Sequence, residues 1–231
     1  MKNTVLTLLV TVVVSCNSAT TPLPQIIPIQ LPTQMDCVAD AEGSYPRFGY
    51  QISNLYEVRF HEAKDLDGNG VKDSIVILTP WNLSPAYESC PEGAELATSQ
   101  TNPRVLLINL MEHGGRILQS YRYDSVLSLE RSTRTKTGAE YLDVSSPPAR
   151  GFTLFQDYGQ GCYAKYFLHI QYQPTVRDFQ LDSLVFASDC PGDAAPVRRS
   201  LYPLPSHPFP LHQYHRNFTA AFKREFGILV E

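Results

Sequence analysis

The sequence has no run of basic residues and none of the short motifs that mark common enzyme chemistries. Its 19 lysines and arginines are outnumbered by 23 aspartates and glutamates, giving a net charge of −4. This balance excludes the basic surface that nucleic-acid binding requires. No GxSxG, HExxH, CxxC or phosphate-binding glycine loop occurs, so the familiar nucleophilic, zinc-protease, redox and nucleotide-binding motifs are missing. Paired acids for glycoside hydrolysis need not be close in sequence, so that enzyme class stays open.

Glycine is scarcer than proline, at 13 residues against 18, and windows rich in Ala, Glu and Lys are few. Tyrosine and phenylalanine are plentiful, at 13 and 11 residues, and aromatic residues favour strands. We therefore predict a single mainly β domain over residues 37–231, built as an antiparallel sandwich or curled sheet. Strands are expected near 54–61, 73–79, 104–110, 116–124, 139–145, 151–156, 162–172 and 179–187.

The longest hydrophobic run, within residues 1–15, is too short for a membrane span, which needs about 20 residues. A single Lys2, an apolar stretch and the small Ser15 before Cys16 are typical of a secretory signal peptide. The ending Val-Val-Ser-Cys resembles the lipobox of bacterial lipoproteins. That resemblance implies cleavage before Cys16, acylation of its thiol, and anchoring to a membrane of the cell envelope, the outer membrane in a Gram-negative cell. An ordinary export signal cleaved nearby is the alternative.

Residues 16–36 contain four prolines, and the stretch from Asn17 to Gln34 has no charged residue. Proline spacing of this kind prevents a helix and favours extended geometry, so we expect a tether between the lipid and the domain. The alternative is an edge strand formed by the apolar residues of the segment. These are Ile26, Ile27, Ile29 and Leu31.

Four cysteines follow Cys16, an even number in a chain predicted to be exported, where disulfides persist. They are Cys37, Cys90, Cys162 and Cys190, and three pairings are possible. Residues 161–173 and 178–190 are predicted to form a hairpin that folds about Val176 and brings Cys162 opposite Cys190, or one residue away, with a bulge if needed. We therefore pair Cys162 with Cys190 and Cys37 with Cys90.

The stretch Asp-Leu-Asp-Gly-Asn-Gly-Val-Lys-Asp, residues 65–73, places side-chain oxygens at positions one, three, five and nine, with glycine at position six. Calcium takes six to eight oxygen ligands, and a tightly curled loop with glycine at its turn can supply them. An EF-hand would have glutamate at position twelve, which here is Val76, and helices on both sides, where the pattern here predicts strands. The alternative is a solvated acidic turn.

The stretch DLDGNGVKDSIVIL resembles the calcium hairpin of FG-GAP (integrin α propeller) and VCBS-type repeats, in which DxDxDGxxD lies between two strands. The resemblance covers only this hairpin. It implies calcium ligation by the Val71 carbonyl and by four side chains. The four are Asp65, Asp67, Asn69 and Asp73. Those families repeat the motif around a propeller, whereas it occurs once here and no internal repeat is visible. We therefore expect a single calcium ion that stabilises the fold and performs no chemistry.

The C-terminal segment is the one convincing helix, starting near Leu211, with an apolar stripe and a stop at Gly227. The stripe consists of Phe218, Ala221, Phe222 and Phe226. On such a helix His212 and His215 would lie one turn apart and could share a metal, although no carboxylate or thiol is near them in sequence. Residues 112–115, Glu-His-Gly-Gly, are expected to form a hairpin turn, and the alternative is that His113 acts as a base.

These observations favour a calcium-stabilised, lipid-anchored cell-envelope protein that acts as a binding or structural module for an unidentified ligand. Two other functions remain open, an envelope inhibitor or immunity-type lipoprotein and a carbohydrate-active hydrolase. The long Pro-containing loops at 80–103 and 188–211 are where a binding surface for protein or carbohydrate would be expected.

Overall fold

The computed structural model describes residues 23–27, 43–80, 103–127, 140–143, 150–158, 163–189, 197–202 and 209–214. These residues form a mainly β structure, as the composition predicts. The strands are β1 Gln25–Ile26, β2 Ser44–Arg47, β3 Tyr50–Ser53, β4 Tyr56–Lys64, β5 Asp73–Pro80, β6 Val105–Met111, β7 Ile117–Tyr123, β8 Glu140–Asp143, β9 Gly151–Tyr158, β10 Tyr163–Gln173, β11 Asp178–Asp189, β12 Val197–Tyr202 and β13 Phe209–Pro210.

The strands form three sheets. Sheet A has the order β1-β3-β2, sheet B has β4-β5-β6-β7, and sheet C has β12-β11-β10-β9-β8 with β13 also paired to β11. Neighbouring strands are antiparallel except for β1, which runs parallel to β3. Sheets B and C are built from hairpins between strands that follow one another in sequence.

Sheet B is the central layer, because its middle strands are apolar on both faces. Successive side chains of a strand point to opposite faces, so a strand covered on both sides has a nearly continuous hydrophobic run. In β5, Ile75 and Ile77 pack in the core shared with Phe152 and Leu154 of sheet C. Val76, which lies between them, packs in a second core with sheet A. The sandwich-like architecture is confirmed, with sheet A as an additional layer.

The N-terminal segment contributes a short strand, so the edge-strand alternative is seen in part: Ile26 lies in β1, whereas Ile27 follows the strand and is exposed. Ile29 and Leu31 lie outside the described residues. Strand β1 pairs with β3, Gln25 opposite Gln51 and Ile26 opposite Ile52. The Gln51 N–H donates to the Pro24 carbonyl at 2.9 Å, and Ile26 is fully buried in the second core. A single apolar side chain therefore fixes this part of the segment to the domain.

The hairpin of β2 and β3 was not predicted from the sequence. Its two-residue turn consists of Phe48 and Gly49, with φ of 53° and 80°, and a positive φ at both positions is what a tight hairpin turn of this kind requires. Phenylalanine is an unusual residue for that conformation. The turn is held because Asn109 donates its side-chain amide to the Phe48 carbonyl at 3.0 Å.

Two hairpins that the sequence predicts are confirmed. Residues 112–116 form the turn between β6 and β7, where Glu112 N–H donates to the Arg116 carbonyl and both glycines have positive φ. Strands β10 and β11 pair along their whole length, from Gln173 opposite Asp178 to Tyr163 opposite Asp189, with an irregularity after His169.

The described residues contain no α-helix, and the helix predicted to start near Leu211 does not start there. Leu211–Gln213 is a 3-10 turn that ends at Tyr214, whose backbone is extended. In a 3-10 turn, residues three apart lie on the same side, and Leu211 and Tyr214 are both buried in the main core. The predicted apolar stripe lies outside the described residues. In the described part of the chain, no helix has the length and hydropathy needed to cross a membrane.

Candidate metal centre

The predicted calcium loop connects β4 to β5 at one end of sheet B. Lys64 and Asp73 are the last paired residues of the two strands, and Gly68 and Gly70 have φ of +83° and +82°. Only glycine adopts such angles without steric cost, so the two glycines allow the chain to curl between the strands. Leu66 points inward and is fully buried in the core between sheets B and C, which anchors the loop at the junction of those sheets.

Three of the predicted ligands converge. Carboxylate oxygens of Asp65, Asp67 and Asp73 all lie within 4.8 Å of one another. Calcium binds oxygen at about 2.3–2.6 Å, so two oxygens on opposite sides of one ion are about 5 Å apart. The observed spacing is therefore compatible with a shared calcium ion. Among the described residues, no other group of three or more aspartates, glutamates, histidines or cysteines brings its ligand atoms this close together.

Asp73 is the unusual member of the group because its side chain is fully buried. Two backbone N–H groups donate to it, Leu66 to one oxygen at 2.6 Å and Met111 to the other at 2.8 Å. Leu66 belongs to the loop and Met111 to β6, so this one carboxylate connects the loop, its own strand and the neighbouring strand. Buried carboxylates are rare unless hydrogen-bonded, paired with a cation or bound to a metal.

The other two carboxylates organise the loop itself. Asp65 accepts hydrogen bonds from Gly68 N–H at 2.8 Å and Gly70 N–H at 3.0 Å. Asp67 accepts from Asn69 N–H at 3.0 Å. A carboxylate has about four lone-pair sites, so these bonds fix the orientation of each group while leaving acceptor capacity for a cation.

The surroundings of Asp73 disfavour its ionised form. Burial raises the pKa of Asp73 above its usual value, and the negative charge of Asp67 also raises it. The backbone hydrogen bonds from Met111 and Leu66 lower this pKa, but the net direction is upward. Ionised Asp73 is therefore held at a cost in free energy that a nearby divalent cation would remove.

The remaining two predicted ligands are placed differently. The Asn69 amide nitrogen donates to Asp67 at 3.1 Å and to the Met111 carbonyl at 2.8 Å. Its amide oxygen accepts from Val71 N–H at 2.7 Å. Asn69 thus presents nitrogen, not oxygen, to the carboxylates in this arrangement, and its amide would have to turn to act as a ligand. The Val71 carbonyl stays a prediction.

A cationic side chain from the facing sheet lies against the loop. A Cβ atom added to Gly68 would be 2.8 Å from the guanidinium of Arg150, the residue immediately before β9 of sheet C. Lys72, within the loop, is exposed. The Arg150 side chain therefore lies next to the loop at Gly68, and sequence reasoning missed it because Arg150 is about 80 residues further along the chain.

Of the two histidines that could share a metal on the predicted helix, the described residues include only His212, and it contacts a carboxylate. His212 Nδ1 lies 3.0 Å from an oxygen of Asp178, and Asp178 also accepts hydrogen bonds from Phe179 N–H and the Tyr123 hydroxyl. No sequence signal connects residues 34 positions apart in this way. His215 lies outside the described residues, as do the predicted lipid attachment site Cys16 and the four cysteines paired above. His113 lies in the turn between β6 and β7.

We compared the chain with known proteins in three ways. Comparison with protein-family models, with curated proteins and with solved structures gave no match.

Proposed function

We propose that this chain is a calcium-stabilised module of the cell envelope, anchored by a lipid on Cys16, whose binding surface is built on the β framework. Calcium is held by Asp65, Asp67 and Asp73, joined by Asn69 after its amide turns and by the Val71 carbonyl. The observation that supports this most directly is the buried carboxylate of Asp73, which lies with two other carboxylates inside one curled loop.

Calcium fits this site better than the alternatives. All the proposed ligands are oxygens, which hard cations prefer, whereas zinc favours histidine and cysteine. Magnesium requires near-ideal octahedral geometry and keeps several of its waters. A loop whose ligands are carboxylates, one amide and one carbonyl, curled by Gly68 and Gly70, provides the irregular geometry that calcium tolerates.

The ion acts as a structural cross-link. Asp73 is tied to Leu66 and Met111, so a cation bound there connects β5, the loop and β6 at the junction of sheets B and C. Because binding occurs only in the folded state, the binding free energy adds to the free energy of unfolding.

One further feature belongs to the same proposal. Disulfides Cys162–Cys190 and Cys37–Cys90 stabilise the exported domain. In the sequence, Cys162 immediately precedes Tyr163 and Cys190 immediately follows Asp189, and Tyr163 and Asp189 are the last described pair of the β10–β11 hairpin.

Calcium titration of the purified chain tests the metal site. Isothermal calorimetry should show one binding event for calcium and weak or no binding for magnesium, and thermal unfolding should occur at a higher temperature with calcium than with chelator. A matched control is Asp182→Asn, which removes an exposed carboxylate from β11 and should leave calcium binding unchanged. Absence of calcium binding in the wild-type chain contradicts the proposal.

Anchoring is tested separately in bacterial cells. Radiolabelled palmitate should be incorporated into the wild-type chain and not into Cys16→Ser, and the labelled chain should fractionate with membranes. A wild-type chain that is exported without label would show an ordinary export signal instead.

A further inference from the structure

Strand β1 determines where the N-terminal segment enters the domain. In addition to its pairing with β3, the Gln25 carbonyl accepts a hydrogen bond from the Arg122 guanidinium at 3.1 Å. Ile26 is completely buried, whereas the adjacent Leu23 and Ile27 are 43% and 57% exposed. The chain is therefore attached to sheet A at a defined place, and Leu23 is the first described residue of this segment.

The distance from that place to the proposed lipid anchor is short. Cys16 precedes Leu23 by seven residues, and a fully extended chain covers at most about 3.3–3.6 Å per residue. The Cα atoms of Cys16 and Leu23 are therefore separated by no more than about 25 Å, whatever conformation the intervening residues adopt. A domain whose attachment point is held this close to the lipid has little freedom to turn that point away from the bilayer.

Sheet A also has the surface that such a position requires. The described residues of the segment and of the two following strands, 23–27 and 43–55, include one charged residue, Arg47, and no aspartate or glutamate. The whole chain, by contrast, has a net charge of −4. The one carboxylate next to β1 in the described chain, Asp124, is ion-paired with Arg122 at 2.8 Å, and Arg47 adds a positive charge, so the charges of this region do not oppose anionic lipid headgroups. Exposed Leu23 and Ile27 can enter the apolar part of the interface.

We propose that the outer face of sheet A, centred on β1, is a membrane-facing surface that rests on the lipid bilayer. This inference rests on the proposed anchor at Cys16. Sheet B separates this face from sheet C, and the calcium loop lies at the junction of sheets B and C through Leu66. The domain therefore directs sheet C away from the bilayer.

Fluorescence quenching by brominated lipids tests this orientation in the full-length acylated chain. The chain has one tryptophan, Trp81, so Trp81→Phe provides a background without tryptophan fluorescence. Two variants are made separately in this background. Ile27→Trp places the tryptophan on the proposed face, and Val176→Trp places it in the β10–β11 turn of sheet C as the matched control. The two side chains are equally exposed in the native domain, at 57% and 58%, so a soluble quencher should affect them equally in detergent.

In vesicles of brominated phosphatidylglycerol and phosphatidylethanolamine, we expect the tryptophan at position 27 to be quenched roughly two-fold or more above that at position 176, because it lies at the lipid interface. Palmitate labelling of the same samples separates the two proposals. Equal quenching at both positions in a labelled chain overturns the orientation and leaves the anchor intact. A chain without label overturns the anchor, and the orientation with it.

Discussion

Replacing Asp67 with asparagine separates the electrostatic cost of the loop from its calcium affinity. The Asp67 carboxylate lies within 4.8 Å of those of Asp65 and Asp73. One like-charge pair at that distance costs about 1 kcal/mol with a dielectric constant of ~80 and about 3.5 kcal/mol with ~20. Asp67 is only half-buried, so solvent screening favours the lower figure.

With chelator present, we expect the variant to unfold within about 1 kcal/mol of the wild type. Relief of repulsion offsets the weakening of the hydrogen bonds that Asp67 accepts from Asn69, each worth about 0.5–1.5 kcal/mol. With calcium at about 100 times its dissociation constant, the wild type gains about 2.7 kcal/mol. In a chain of this size that gain raises the melting temperature by about 5–10 °C, and the variant should lose most of it.

Calorimetric unfolding in chelator and in calcium measures both effects, with Asp182→Asn as the control that keeps the full calcium response. Two results would refute the reasoning. One is a wild-type melting temperature that is the same in calcium and in chelator. The other is an Asp67→Asn variant that keeps the whole calcium-dependent increase.

Three other predictions concern different parts of the chain. Burial raises the pKa of Asp73 above 3.8, so on acidification the metal-free native state takes up a proton before the unfolded state does. As the pH falls towards 3.8, protonation of Asp73 therefore stabilises the metal-free native state relative to the unfolded state and competes with calcium. The calcium-induced rise in melting temperature should shrink as the pH is lowered towards 3.8, and a constant rise would contradict the assignment of Asp73 as a ligand. Cys162→Ser or Cys190→Ser should lower the free energy of unfolding by about 3 kcal/mol, and peptide mapping without reductant should recover the two cysteines in one linked fragment. Ile26→Ala should destabilise the domain by about 2–5 kcal/mol or release the N-terminal segment to proteases, whereas Ile27→Ala, at an exposed neighbour, should do neither.

The calcium loop shows which features of the candidate site can be predicted from local sequence and which cannot. The alternation of oxygen side chains around Gly70 predicts that Asp65, Asp67 and Asp73 converge, because all three lie within one nine-residue bend whose curvature the glycines permit. The orientation of the Asn69 amide was not predictable, since it depends on the Met111 carbonyl of β6, 42 residues away. Burial of Asp73 likewise requires β6 to cover it.

The same division applies to the sheets. Alternating and continuous apolar runs predict the long strands and the β10–β11 hairpin, since side-chain alternation is a property of the strand itself. The β2–β3 hairpin gave no such signal, because its turn places Phe48 at a positive φ, which is unusual for phenylalanine, and the Asn109 side chain that binds the Phe48 carbonyl is 61 residues away. The tether interpretation underestimated Ile26, whose burial depends on the core that residues of sheets A and B form together.

By itself the sequence determined the mainly β class, the main hairpins and the composition of the acidic loop, because these follow from backbone preferences and side-chain spacing over a few residues. Tertiary structure decided that sheet B has two covered faces, that β1 joins the fold, and that Asp73 is removed from water. Each of these requires segments distant in the chain to meet. The free energy of such burial belongs to the assembled surfaces, and no short stretch of sequence contains it.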